Sequence, residues 1–405
     1  MAALPAMSPS TTMPTKNQKI DNRGTRPPLP AVAIVAARRL FACLLATLVC
    51  GFLGAGCIGS KENSPGPGPA VTRAKTEGDP RKLRLGFSSL PPERSGDAYA
   101  STFAIAAQYA DVILISHIPP WEDFLPNGKV SETTATNTRF ETGLLDQYRD
   151  LKRFIAIDPT DGIVQRSRIA NLPSSVDPAA GFNDPALRQA FLGYTSYVVA
   201  NYKPDYLAIG VEVNMLAQRS PAQFDAFLSL YKQAYANAKS ANPKMRVFPT
   251  FQYEDLLGSY GTAHPPRWDV LESFRGSMDA LAVSSYPYLA GLRTAADLAP
   301  GYYQEIKAHW AGEILISESA HPSAPVDGQP VFGTEEDQAA FLDRLLADAE
   351  SSGFSMVVWL AARDPAFASS GPAVTFKDIG LRHSDGANKL GWSLWEQWSR
   401  RPLTP

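Results

Sequence analysis

Two glutamates, Glu212 and Glu318, each follow an apolar segment of the chain. Glu212 comes after Tyr-Leu-Ala-Ile-Gly-Val, and Glu318 comes after Ile-Leu-Ile-Ser. A buried ionised carboxylate without a partner costs much free energy, so two of them are more typical of a site than of packing. An ion pair of either glutamate with Arg219 or Arg363 is the structural alternative.

Two facing carboxylates are the groups that glycosidic bond cleavage requires. At a separation of about 5 to 5.5 Å one carboxylate attacks the sugar while the other donates and later takes up a proton, whereas about 6.5 to 9.5 Å leaves room for an attacking water. The sequence therefore predicts the pair of groups, and leaves the stereochemical outcome to the distance between them.

Further polar and aromatic residues stand at or just beyond the ends of apolar segments. Aromatic rings and a few polar groups are typical of a small-molecule or glycan site. The candidate substrate-binding residues are His117, Trp121, Asp158, Asn214, Gln252, Tyr253, Tyr286, Tyr288, His321 and Trp359. Because the chain has five histidines and no His-x-His after its first predicted strand, we expect neither a metal nor another cofactor. The three-residue spacing of Trp392, Trp395 and Trp398 predicts one packed helix face instead.

From residue 83 onward, short β-prone segments alternate with amphipathic segments. The eight predicted strands cover residues 83–88, 112–117, 153–158, 206–212, 246–252, 279–285, 313–318 and 355–360. The intervening segments carry helix starts such as Asp184-Pro185, Ser220-Pro221 and Thr334 with Asp337. Eight strand and helix units of continuous hydrophobicity predict an all-parallel (β/α)8 TIM barrel, with a doubly wound sheet as the alternative. In such a barrel the functional residues lie at the carboxyl ends of the strands.

The amino-terminal part of the chain has the pattern of an export signal. Residues 40–56 are apolar and follow Arg38 and Arg39, and Cys57 comes next, after Leu-Gly-Ala-Gly. This resembles a bacterial lipoprotein signal with Cys57 as the lipid attachment point, and a single membrane-anchoring helix is the alternative. We therefore predict a signal segment at 1–56, a disordered Pro/Gly-rich tether at 57–81 and one barrel domain at 82–400.

Composition narrows the function further. All three cysteines lie within residues 1–57, so the predicted barrel has no disulfide, cysteine nucleophile or cysteine metal site. The net charge of −2 becomes −7 once residues 1–56, with six basic residues and one acidic residue, are removed. Since no basic run remains, nucleic acid is not an expected partner.

The glutamate segments resemble those of clan A retaining glycoside hydrolases. The resemblance is carried by Glu212 in IGVEVN, Glu318 in ILISESAHPS, residues 283–289 (VSSYPYL) and Trp359 in VVWLAA. It is strongest to family 53, the endo-β-1,4-galactanases, and the ESAHPS segment is also similar to the family 17 β-1,3-glucanases. Residues 376–395 are similar to the last loop and helix of such enzymes. Val211 stands where the clan usually has an asparagine.

The resemblance implies a role for each group. Glu212 would be the acid/base and Glu318 the nucleophile, Tyr286 would hydrogen-bond the nucleophile, and Trp359 would form the floor under the sugar. The implied activity is retaining cleavage of a β-linked polysaccharide, such as a β-1,4-galactan or another β-glycan, through a covalent intermediate.

Two other functions are compatible with the sequence. One is a non-catalytic glycan-binding surface lipoprotein on the same barrel, which Val211 favours. The other is β-glucan transglycosylation, in which a sugar instead of water reaches the intermediate. For all three we expect a monomer in the bacterial cell envelope, lipid-anchored through Cys57 or secreted, with a polysaccharide or oligosaccharide as its partner.

Overall fold

Parallel strands form in all eight predicted segments, and one of these segments is divided in two. The computed structural model describes residues 68–73, 76–162, 166–326 and 331–404, so the predicted signal segment and Cys57 lie outside the described residues. The strands are β1 (Arg84–Ser88), β2 (Val112–His117), β3 (Lys152–Ile157), β4 (Tyr206–Ile209), β5 (Arg246–Phe248), β6 (Thr250–Gln252), β7 (Ala280–Ser285), β8 (Glu313–Ser319) and β9 (Met356–Trp359).

Pro249 separates β5 from β6, which the sequence analysis treated as one strand. Proline has no N–H to give to a neighbouring strand, so it interrupts the hydrogen-bonded ladder at that position. β5 pairs with β4 and β6 pairs with β7, so each half of the segment serves one neighbour.

The sheet closes into a barrel. Its strand order is β5-β4-β3-β2-β1-β9-β8-β7-β6, and every pairing is parallel. The two strands at the ends of this order, β5 and β6, are consecutive pieces of one segment, which completes the ring. The predicted TIM barrel is therefore confirmed, and the doubly wound alternative is wrong.

Helices connect the strands on the outside of the barrel. They are α1 (Gly96–Tyr109), α2 (Trp121–Phe124), α3 (Glu132–Gln147), α4 (Pro185–Tyr202), α5 (Val213–Arg219), α6 (Pro221–Ala241), α7 (Tyr253–Leu256), α8 (Ile306–His309), α9 (Glu335–Ser351) and α10 (Leu390–Arg400). Asp184 caps α4 by accepting from the N–H groups of Ala186 and Leu187, and Thr334 caps α9 by accepting from Asp337 N. No described helix has the length and apolar character needed to cross a bilayer.

The helices bury their apolar faces against the strands. Strands β2, β4 and β7 are buried at every position, as expected for a parallel sheet covered on both sides. Trp392 and Trp395 of α10 are fully buried and lie against Phe87 of β1, with ring centroids 6.5 and 4.6 Å from it. These two tryptophans are thus packing residues, as their spacing predicts.

Residues 68–73 and 76–81, called the N-terminal arm below, lie against the end of the barrel where the strands begin. Arg81 is 1% exposed and donates to both carboxylate oxygens of Asp111, at 2.7 and 3.1 Å. Arg73 donates to the same carboxylate at 2.7 Å, and Tyr148 donates to the Pro69 carbonyl at 2.6 Å. The arm belongs to the predicted tether, so that part of the tether has fixed contacts, while the predicted domain boundaries stay predictions.

Candidate active site

Glu212 lies just beyond the carboxyl end of β4 in a backbone conformation that few residues adopt. Gly210 has φ +90°, and a Cβ there would meet Phe227 at 2.6 Å, so glycine is required. Glu212 itself has φ +50° and ψ +47°, the left-handed region that L-residues with side chains disfavour. Its N–H donates to Thr250 Oγ1 at 3.0 Å, a bond that ties this turn to β6. A non-glycine residue held in this region is typical of functional sites.

Glu212 is 5% exposed, and each oxygen of its carboxylate accepts a hydrogen bond. Arg166 Nε donates to Oε2 at 2.8 Å, and Ser284 Oγ donates to Oε1 at 2.5 Å. An ion pair therefore exists, and its cation is Arg166, which the sequence did not suggest.

Arg166 joins Glu212 to Asp158, at the end of β3. Its Nη1 donates to Asp158 Oδ2 and, at 3.0 Å, to Thr160 Oγ1. The other Asp158 oxygen accepts from the Thr160 N–H at 3.0 Å and from its hydroxyl at 2.7 Å. Asp158, expected to bind substrate, thus has the guanidinium and Thr160 as its partners in this structure.

Glu318 reaches the same place from β8 by way of a bulge. Val283 pairs with Ile316 and Ser284 pairs with Glu318, so Ser317 is an extra residue on β8. A bulge of this kind changes the direction of the side chains that follow it. Glu318 is 5% exposed, and Tyr286 Oη donates to its Oε2 at 3.2 Å.

Burial, followed by the negative charge of Glu212, raises the pKa of Glu318 to about 8, although Arg166 and the Tyr286 hydrogen bond act in the opposite direction. At neutral pH this carboxyl group therefore holds a proton. Because the charge of Glu212 acts on Glu318, the two glutamates form one electrostatic unit.

Residues at the end of β7 and just after it donate hydrogen bonds to both glutamates. Ser284 donates to Glu212, and Tyr286, two residues further on, donates to Glu318. One short stretch of backbone therefore contacts both glutamates at the carboxyl end of the barrel.

The two predicted tryptophans of the site are both buried and both donate to a carbonyl. Trp359 is completely buried at the end of β9, and its Nε1 donates to the Ile379 carbonyl at 2.8 Å. Trp121 is 2% exposed and donates to the Ala170 carbonyl at 2.8 Å. Phe191 stacks on the Trp121 ring at 6.1 Å, so this ring is engaged in packing.

His117, at the end of β2, belongs to a separate buried cluster. Its Nε2 lies 3.0 Å from Glu141 Oε2 on α3, and Tyr99 and Tyr202 donate to Glu141 at 2.7 and 2.5 Å. Burial alone would raise the pKa of Glu141, but His117 and the tyrosine hydroxyls outweigh burial and lower it. The cluster joins β2 to three helices behind the barrel wall.

Asn214 and Gln252 are occupied by each other and by Asp255. Asn214 Nδ2 donates to the Gln252 carbonyl at 3.0 Å and to Asp255 Oδ2 at 2.7 Å, while Gln252 N donates to Asn214 Oδ1 at 2.8 Å. All three residues are buried. Their contacts fasten the segment after β4 to the end of β6.

Glu254 is a buried carboxylate that sequence reasoning missed. It accepts from Ser285 Oγ at 2.6 Å, Tyr302 Oη at 3.0 Å, Gln252 Nε2 at 2.5 Å and the Tyr286 N–H at 3.0 Å. Burial raises its pKa. Through these bonds Glu254 fixes the backbone that carries Tyr286.

The remaining three predicted site residues are buried in the segments that follow strands at this end of the barrel. Tyr253 donates to the Tyr302 carbonyl. Among the described residues, the buried Tyr288 hydroxyl has no hydrogen-bond partner. His321 has one ring nitrogen 2.9 Å from the Pro322 carbonyl and the other 2.9 Å from the Arg293 carbonyl, and burial lowers its pKa. The binding roles of all these residues stay predictions.

Arg166, Ser284 and Glu254 are the site residues that sequence reasoning missed. Ser284 lies inside a predicted strand, two positions before Tyr286, so the two-residue period could have revealed it. Arg166 lies in a loop that gives no periodic signal. Glu254 follows two residues that were chosen, and its acidic type at a strand end was the available sign.

Searches with this chain find no matching protein-family model and no matching curated protein. Solved structures do resemble it. The exo-β-1,4-mannosidase of Opitutaceae bacterium strain TAV5 aligns over 82% of this chain with a TM-score of 0.58 and 15% identity. This chain covers 62% of that enzyme's length.

Two further solved structures are similar. GH5_18 from Bifidobacterium longum aligns over 80% of this chain and 81% of its own, with a TM-score of 0.58 and 16% identity. The structure of two fungal β-1,4-galactanases aligns over 74% and 91%, with a TM-score of 0.50 and 14% identity. These neighbours are clan A glycoside hydrolases, so the resemblance predicted from the glutamate segments is confirmed at the level of the fold.

Proposed function

We propose that this protein is a retaining glycoside hydrolase that cleaves a β-linked polysaccharide, β-1,4-galactan or another β-glycan. The observation that supports it best is the pair of buried glutamates at the ends of β4 and β8, which accept hydrogen bonds from Ser284 in β7 and Tyr286 just after it. The neighbours named above include a β-1,4-mannosidase and β-1,4-galactanases, which favours a β-linked substrate.

In the first step, an oxygen of ionised Glu318 attacks the anomeric carbon of the bound sugar. The bond from that carbon to the leaving oxygen breaks, and the leaving oxygen takes the proton of Glu212. A covalent glycosyl-enzyme and a shortened glycan result.

In the second step, the Glu212 carboxylate takes a proton from a water molecule whose oxygen attacks the same carbon. The bond to Glu318 breaks, which restores its carboxylate and releases a sugar with the original anomeric configuration. If a sugar hydroxyl replaces the water, the product is a transglycosylated glycan.

The test is hydrolysis of a panel of β-galactans, β-1,3-glucans and β-mannans by Glu212→Gln and Glu318→Gln variants. Glu313→Gln is a matched control, because Glu313 begins the same strand as Glu318 but pairs with Arg246 at the opposite end of the barrel. We expect both site variants to be inactive and the control to be active.

Hydrolysis by both site variants at the wild-type rate would overturn the proposal. Glycan retention in affinity electrophoresis without product release, by wild type as well as the variants, would instead identify a non-catalytic glycan-binding protein. Buried Val211, where the clan usually has an asparagine, is the observation that keeps this second function in view.

We further propose that the protein acts as a monomer in the bacterial cell envelope, held by a lipid on Cys57. The support is the apolar segment at 40–56 and the small residues before Cys57. Metabolic labelling with a palmitate analogue tests this proposal, and a Cys57→Ser variant that is still labelled would contradict it.

A further inference from the structure

Arg166 pairs with Glu212 and is held by its own loop. Its side chain is 2% exposed by residue, its φ is +56°, and its N–H donates to the Asp161 carbonyl at 2.8 Å. An antiparallel bridge between Thr160 and Ile169 returns the loop to the barrel. The loop after β3 therefore delivers this guanidinium to Glu212 in a fixed position.

The two glutamates have very unequal surroundings. Glu212 has the guanidinium on one oxygen and the Ser284 hydroxyl on the other, both of which stabilise a carboxylate. Glu318 has a tyrosine hydroxyl at 3.2 Å and faces the negative charge of Glu212. Two close carboxylates in a buried site cannot both ionise freely, so a shared proton goes to the member with the weaker partners.

The charged and titratable groups near Glu212 and Glu318 belong to several elements of the barrel. Arg166 and Asp158 come from β3 and its loop, and Arg219 comes from α5. Tyr286 comes from the end of β7. Their charges act on Glu212 and Glu318, and Arg166 forms an ion pair with Glu212 at 2.8 Å.

We propose that Arg166 is a positioning residue that decides which glutamate carries the proton of the pair: it keeps Glu212 ionised in the resting site and so leaves the proton on Glu318. The inference rests on the proposed function for its catalytic meaning, but the proton distribution itself is a property of the free protein.

The resting distribution is the reverse of the one that hydrolysis requires. Glu212 must hold the proton to protonate the leaving oxygen, and Glu318 must be ionised to attack. Asp158 and Thr160 also pair the guanidinium, so Arg166 has partners other than Glu212. Transfer of the proton from Glu318 to Glu212 would give both groups their reactive forms.

The test is a titration of side-chain carboxyl carbons by NMR, with 13C-glutamate in the full-length protein and assignments from Glu212→Gln and Glu318→Gln. In wild type we expect the proton of the pair on Glu318, which should titrate near pH 8. In Arg166→Gln we expect Glu212 to take up the proton and the Glu318 midpoint to fall. Arg168→Gln is the control, because Arg168 pairs with Asp161 on the same loop at 3.2 Å and is exposed.

A wild-type titration in Arg166→Gln, or a protonated Glu212 in wild type, would overturn the proposal. Arg166→Lys keeps a charge and tests rescue, and we expect it to restore the wild-type order of protonation. Because the titration needs no substrate, it can succeed while every glycan assay fails, so the two proposals are tested separately. If hydrolysis is detected, Arg166→Gln should also move the acid limb of the pH profile of kcat/KM, whereas Arg168→Gln should not.

Discussion

Two buried carboxylates on opposite sides of the barrel wall have opposite surroundings. Glu141, behind β2, accepts hydrogen bonds from two tyrosines and lies 3.0 Å from a histidine nitrogen. Glu318, inside the end of β8, accepts one bond among the described residues and faces another carboxylate. Their environments lower the pKa of Glu141 and raise that of Glu318 to about 8.

The difference separates a carboxylate that holds the fold from one that is available for chemistry. A carboxylate saturated with donors gains by being ionised and has nothing left to give to a substrate. A carboxylate with few donors and a repelling neighbour lies close to the balance between its two protonation states, which is where an acid, base or nucleophile is useful. Burial alone does not distinguish the two, because both are almost fully buried.

The largest expected effect is the loss of hydrolysis in Glu318→Gln. An amide cannot attack the sugar, so the rate should fall about 10⁴-fold. The free energy of unfolding at pH 6 should hardly change, because the neutral amide replaces a protonated carboxyl group of the same shape. Initial rates on the best glycan, together with urea unfolding, test both parts, and a strongly destabilised variant would place Glu318 in the same class as Glu141.

The converse result is expected for Glu141→Gln. The carboxylate accepts with two oxygens, whereas an amide accepts with one and its NH2 group only donates. Buried donors around residue 141 would therefore lose their partner, which should lower the free energy of unfolding by about 3 to 5 kcal/mol. Hydrolysis per folded molecule should stay close to wild type. A stable variant with reduced turnover would contradict the comparison.

The two carboxylates should also act in different pH windows. Glu318 binds its proton more tightly when folded, so its contribution to stability is complete below the ordinary value near 4.5 and is lost as the pH rises to about 8. Glu141 binds its proton less tightly when folded, so its contribution is complete above that value and is lost as the pH falls through its lowered pKa.

Urea unfolding at a series of pH values measures these windows. Between pH 4.5 and 8 the free energy of unfolding should fall less in Glu318→Gln than in wild type. On acidification it should fall less in Glu141→Gln than in wild type. Parallel curves for wild type and both variants would show that neither group controls the pH dependence.

The smallest expected effects come from removing one tyrosine hydroxyl from beside each of the two carboxylates, Glu141 and Glu318. Tyr99→Phe leaves Glu141 with two partners and should reduce the free energy of unfolding by about 1 kcal/mol. Tyr286→Phe removes the hydroxyl that reaches Glu318 and should reduce kcat about tenfold, since a hydrogen bond to a charged group contributes about 1.5 to 3 kcal/mol. If both variants changed stability and turnover equally, the distinction between Glu141 as a structural carboxylate and Glu318 as a reactive one would be wrong.

The barrel could be predicted from the sequence because its strands are continuous apolar segments with helix starts between them. The break at Pro249 was visible as a residue type, but the sequence could not tell whether one strand or two would result. Functional residues of such a barrel lie at the carboxyl ends of its strands, and this rule identified Glu212 and Glu318, since each directly follows its own apolar segment.

The partners of these glutamates could not be predicted in the same way. Arg166 is 46 residues from Glu212 and meets it only because the loop after β3 turns back on itself. His117 was a correct strand end, but its side chain joins Glu141 on a helix outside the wall. A strand end fixes where a backbone stops, while the direction of each side chain depends on bulges, left-handed residues and loops that leave no periodic trace.

The N-terminal arm brings the beginning and the end of the described domain together. Arg81 N donates to the Pro402 carbonyl and Thr404 N donates to the Arg81 carbonyl, each at 2.9 Å. Residue 81 and residues 402–404 therefore lie side by side at the end of the barrel opposite the glutamates. A circular permutant of residues 81–404 opened in an exposed surface loop should retain the barrel, and a partner protein fused after residue 404 should leave the glutamate end of the barrel uncovered.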